Sequence, residues 1–192
     1  MLSVIDVAPV CDCHLLMDAY IPLWLRCSKS TEVPIYWRTG NFDTSLLEIG
    51  LDSEKGMICA ITLTSIDPDR FVVEETPIRA VSSVFGMPIF DIIEWKDDLF
   101  KEEYLPFSVV IGRNSLTIFL GSKETCLQTT YDLGPIMFGV SLEPEVGIRP
   151  RMYGMGKVVL GTNSSSQLCY LLFDGINEKE LDSLHERVMR GS

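Results

Sequence analysis

Cys11-Asp12-Cys13-His14 sets two thiols and an imidazole within four residues. Thiolate and neutral imidazole are the donors that zinc takes in closed tetrahedral sites. Such a site ordinarily needs a second clustered pair. Here the next cysteine, Cys27, stands alone, and the other histidine is His185, far along the chain. The expectation is no metal and no cofactor, with the segment read as an N-terminal strand of small buried side chains. A Cys–His nucleophile is equally unsupported, because adjacency in sequence does not give the geometry in which a base activates a thiol. Gly154-Met155-Gly156-Lys157 is too short for a phosphate-binding loop. A Gly-x-Ser-x-Gly elbow and a His-Glu-x-x-His pair are both absent. No catalytic residue is assigned, and a non-enzymatic protein is expected.

Carboxylates are the one abundant chemical resource. Between Asp67 and Glu103 stand ten acids against four bases, a net of −6 out of −11 for the whole chain of 192 residues. Adjacent acids such as Asp97-Asp98 and Glu102-Glu103 would serve acid–base chemistry only with perturbed pKa values inside a cleft. On a polar stretch they read as a solvated face. Trp95, Phe100 and Tyr104 are interleaved with them. Clustered negative charge steers a basic partner and speeds its association, and aromatic side chains supply buried anchors. The candidate partner-binding residues are therefore Asp91, Glu94, Asp97, Asp98, Glu102 and Glu103 for steering, with Trp95 and Tyr104 as anchors. A second reading stays open: an amphipathic helix near Asp97 to Tyr104, stopped by Pro106, whose aromatics face the protein's own core.

The charge balance also excludes partners. Lys plus Arg number 16 and Asp plus Glu 27, so clustered cations for nucleic-acid phosphates or anionic lipid are lacking. No run approaches the ~18 apolar residues of a spanning helix. The opening MLSVIDVAPV has Asp6 and no basic residue, unlike a secretory signal. A cytoplasmic protein is expected, and with it six reduced cysteines that pack as small apolar side chains.

The elements that must position these residues are mostly strands. SLLEIGL (Ser45 to Leu51) and MICAITLT (Met57 to Thr64) flank the turn Asp52-Ser53-Glu54-Lys55-Gly56 and predict a hairpin. FSVVI (Phe107 to Ile111) and LTIFL (Leu116 to Leu120) predict another. Further strands are expected at 21–27, 70–74, 89–93, 127–131, 137–142, 157–160 and 168–173, and a long loop at 144–156. Asn177 can cap a terminal helix of about 12 residues in which Leu181, Leu184 and Val188 share a face. The expected fold is α+β, predominantly antiparallel β (a sheet, sandwich or open barrel) with that helix packed on it, in a single domain over residues 1–192.

Two segments resemble a known group. NFDTSLLEIGLDSEKGMICAITL (Asn41–Leu63) and YLLFDGINEKELDSLHERV (Tyr170–Val188) are similar to stretches of immunity proteins of contact-dependent growth inhibition and related polymorphic-toxin systems. The resemblance implies a cytoplasmic, non-catalytic inhibitor. It would bind one cognate toxin domain, for example a basic nuclease, and occlude its active site or block its activation. No interface residue carries over from that group. Two alternatives remain: a small-ligand β-domain with an apolar pocket, and a hydrolase that uses carboxylates with a divalent metal.

Overall fold

The computed structural model describes residues 1–9, 11–18, 20–27, 33–74, 84–95, 98–122, 126, 152–155 and 158–190. Period-two alternation decides which side of each strand is buried. In β4 (Ile35–Gly40), Ile35, Trp37 and Thr39 are buried, whereas Tyr36 and Arg38 are half-exposed on the other face. This strand belongs to a six-stranded sheet. Its order is β10 (Phe100–Glu103), β4, β5 (Leu46–Leu51), β6 (Ile58–Ser65), β3 (Leu23–Cys27), β2 (Cys13–Leu16). All its pairs are antiparallel except β10 on β4.

A seven-stranded sheet carries the order β7 (Phe71–Val73), β11 (Phe107–Ile111), β12 (Ser115–Leu120), β15 (Leu168–Asp174), β14 (Val158–Thr162), β13 (Met152–Met155), β8 (Val84–Phe85). Its centre is antiparallel and both edge pairs are parallel. A third, two-stranded pair joins β1 (Val4–Ala8) to β9 (Met87–Phe90).

The two large sheets share one core. Leu25, Trp37, Ile49 and Leu63 from the first meet Val109, Ile118, Leu160 and Phe173 from the second in a single cluster. Burying each such side chain contributes about 1.5–3 kcal/mol, so a one-residue register slip in a central strand would be costly. The opposite face of the seven-stranded sheet carries its own cluster of Val110, Phe119, Cys126, Val159, Cys169, Tyr170 and Leu172. There the Cys126 thiol donates to the carbonyls of Leu120 and Cys169, at 3.4 and 3.3 Å.

The helix α1 (Glu178–Arg190) starts as expected, with Asn177 Oδ1 accepting from the Lys179 N–H at 3.0 Å. Leu181 and Leu184 enter the main core, and the His185 ring stacks on Phe71. Both hairpins form where the sequence puts them. No helix among the described residues is long and apolar enough to cross a membrane.

Three expectations are corrected. The helix near Asp97 to Tyr104 is absent: the segment ends as strand β10, because pairing with β4 outweighs local helical spacing. Part of the long loop 144–156 is strand β13, drawn into the sheet by β14. The six cysteines are not all reduced, because the β2–β3 register sets Cys13 opposite Cys27 and the two form a disulfide. The strand expectations at 127–131 and 137–142 lie outside the described residues.

Candidate functional site

The acidic segment is held at both ends. At its start, Phe90 is buried and its N–H donates to the Gly56 carbonyl in the β5–β6 turn, at 2.9 Å. The Asp91 N–H donates to the Ser3 carbonyl at 2.9 Å, and Ile92 enters the core. The Asp91 carboxylate accepts from the Ile93 N–H at 3.1 Å and begins a 3-10 turn over Ile93–Trp95. At the far end, the Tyr36 N–H donates to the Leu99 carbonyl at 3.0 Å, and β10 runs on along β4.

Within this frame the expected residues divide. Asp91, Glu94 and Asp98 are exposed, and among the described residues no ion pair reaches them. Glu102 is exposed and lies 3.8 Å from Arg38, whose guanidinium is committed more closely to Glu48 at 2.8 Å. Arg38 also sits over the Phe100 ring, 4.6 Å from its centroid, an attraction between cation and ring face. Glu103 is different. Its Oε2 takes the Met1 amino group at 2.6 Å and the buried Trp37 indole N–H at 3.1 Å. It braces the fold. Asp97 lies outside the described residues.

The two aromatic anchors also divide. Tyr104 is 74% exposed and packs loosely on Phe42, with ring centroids 6.4 Å apart. Trp95 is half-buried against the main core, so for that ring the reading that turned the aromatics inward describes the structure better. Sequence reasoning missed Ile93 and Leu99 as surface groups, yet they are 72% and 64% exposed, and Phe100 is 49% exposed. Nothing in residue type tells an apolar side chain of a short connecting segment that it will face water. The segment thus offers open carboxylates beside exposed apolar groups. This arrangement provides charge and contact area, and the carboxylates are spread along the surface rather than gathered in a cleft.

A second cluster lies at the opposite edge of the six-stranded sheet. Cys11 Sγ stands 3.9 Å from Cys13 Sγ, and the sulfurs of Cys11, Cys13 and Cys27 all fall within 4.8 Å of one another. The sequence left Cys27 alone; pairing of β2 with β3 brings it to the Cys11–Cys13 pair. His14, next along β2, pairs with Arg26 and lines the same groove, but it is not among the donors within 4.8 Å of one another. A groove of about 540 Å³ opens beside the sulfurs, lined in part by Met17, Met155 and Glu180.

The chain matches no protein-family model and no curated protein.

Proposed function

We propose that the chain is a non-catalytic inhibitor that binds a basic protein toxin domain and neutralises it by occlusion, as its resemblance to immunity proteins implies. One observation carries this reading: Ile93, Leu99, Phe100 and Tyr104 are exposed in the same segment as the exposed acids Asp91, Glu94, Asp98 and Glu102. Large apolar groups left in water along one segment offer contact area to a partner. Acids around them would draw a cationic partner in and fix its orientation.

The test uses the toxin-like domain that this reading expects at the end of the adjacent upstream reading frame, and a reading frame without one would count against it. Association is followed by stopped-flow fluorescence at rising salt. A tight complex is expected, with an on-rate that falls steeply as salt screens the charges. The double variant Glu94→Lys, Asp98→Lys should slow association about tenfold and leave the unfolding midpoint in place. No complex, or an on-rate indifferent to both salt and charge reversal, would overturn the reading.

A further inference from the structure

We infer that Cys11, Cys13 and Cys27 form a thiolate site for a zinc ion once the Cys13–Cys27 disulfide is reduced. The backbone brings the donors together. Cys13 and Cys27 are direct partners in the β2–β3 ladder, with Cα atoms 4.1 Å apart. Cys11 precedes Cys13 by two residues, the spacing that returns a side chain to the same side of an extended chain.

The spacing of the sulfurs suits the ion. Ligands about 2.3 Å from a tetrahedral zinc stand about 3.8 Å from each other. Cys11 Sγ and Cys13 Sγ are 3.9 Å apart; Cys27 Sγ lies within 4.8 Å of Cys11 Sγ and is bonded to Cys13, so reduction must let that pair part to the ligand separation. Zinc is a good match for clustered thiolates, and its preference does not require an imidazole. His14 lines the same groove but is not among the donors that lie within 4.8 Å of one another, and the site is built without it. The groove beside the sulfurs, lined also by Asp12 and Glu180, gives the fourth position to water or a carboxylate. Cys27 is buried and Cys11 and Cys13 are half-buried, a partly dry setting in which an ion is exchanged slowly yet remains reachable.

The chemistry is balanced by a phosphine reductant. The phosphine takes the oxygen of one water and becomes its oxide, while the disulfide gains two electrons and two protons and opens to two thiols. Binding of Zn²⁺ then displaces the protons of the thiols that ligate it. In the oxidised chain two of the three donors are tied to each other, so metal uptake depends on reduction.

The experiment takes the full chain, reduced with a phosphine and stripped by a chelator, and titrates it with Co²⁺ alone. One Co²⁺ per chain is expected, with thiolate-to-cobalt charge-transfer absorption that Zn²⁺ then abolishes. The oxidised chain should show no such band. Cys11→Ser should weaken binding about a hundredfold, and Cys59→Ser should leave it unchanged. Because a misfolded variant would mimic that loss, alkylation of the unmutated reduced chain supplies an independent reading. Zinc should protect Cys11, Cys13 and Cys27 and leave the labelling of Cys59 as it was. Absence of the charge-transfer band, equal affinity in Cys11→Ser, or protection mapping to other cysteines would overturn the assignment.

Discussion

Glu102 and Glu103 are neighbours of the same chemical type, and the structure gives them opposite roles. Removing Glu103 with Glu103→Ala strips the acceptor from the indole N–H of Trp37, which is fully buried. An orphaned buried donor costs about 1–3 kcal/mol. The same change releases the Met1 amino group from Glu103; those two side chains are only 26% and 32% exposed, and such a pair adds at most about 1 kcal/mol. Together these give a loss of about 1–4 kcal/mol. Glu103→Gln keeps an oxygen for the indole and loses only the ion pair, so it should cost about 1 kcal/mol or less. Glu102→Ala removes a mostly exposed carboxylate 3.8 Å from an arginine that Glu48 already holds. Its effect should stay within about 0.5 kcal/mol. Urea unfolding followed by tryptophan fluorescence orders the three variants. If Glu103→Ala costs no more than Glu102→Ala, or if Glu103→Gln is as damaging as Glu103→Ala, the bracing role is wrong. Glu103 then returns to the list of steering charges.

Two further outcomes are open to the same assay. Gly56 has φ of +68°, and a Cβ there would run into the carbonyl of Phe90, the residue whose N–H bond to Gly56 seats the start of the acidic segment. Gly56→Ala should therefore cost at least about 2 kcal/mol, and an unchanged urea midpoint would mean the turn is not fixed against Phe90. Asp18 accepts from the N–H groups of Ile21 and Tyr20 at 2.7 and 2.6 Å. These bonds, aided by the charge of Arg187 beside it, hold its carboxyl below the usual carboxylate range. A depressed folded pKa stabilises the fold above the unfolded value of about 3.9. That contribution is lost as pH falls through the lower folded value. Asp18→Asn should flatten this part of the acid branch of the stability curve, and an identical branch in both proteins would refute the link.

What could be read from residues alone follows the range of the interaction. The β5–β6 hairpin was legible because its turn chemistry is local: Asp52 Oδ1 accepts from the N–H groups of Glu54 and Lys55, and Gly56 supplies the positive φ. The cap at Asn177 is local in the same sense. β10 was not legible. Its Asp-Asp-Leu-Phe-Lys-Glu-Glu run has helical charge spacing, and only the edge of β4, more than sixty positions earlier, makes it a strand. Nor was the sulfur cluster, since the distance from Cys13 to Cys27 depends on the register of β2 on β3. β4 itself alternates clearly, yet it is not among the strands expected from the sequence. Thr39 is in fact buried, its hydroxyl donating to the Leu105 carbonyl at 2.8 Å. The candidate surface was legible as charge and only partly as shape. Acids are exposed almost by default, whereas the side on which Trp95 and Leu99 lie is decided by what packs beneath them.

The position of β10 bears on how a partner would be held. Among the described residues it pairs only with β4 and ends the six-stranded sheet. A free strand edge invites another strand, and charged side chains along it discourage that. Lys101, Glu102 and Glu103 follow one another along β10. A partner adding a strand there would bring its own backbone against these groups and would gain little from the exposed Leu99 and Tyr104, which flank the strand. A partner binding through side chains would use both the charges and the apolar groups. The two modes differ in an observable way. Strand addition depends on backbone hydrogen bonds and is nearly indifferent to salt, whereas the side-chain mode weakens as the Debye length shrinks from about 10 Å at 0.1 M salt to about 3 Å at 1 M. Association that survives 1 M salt unchanged would point to the edge itself, and association that collapses would point to the acids beside it.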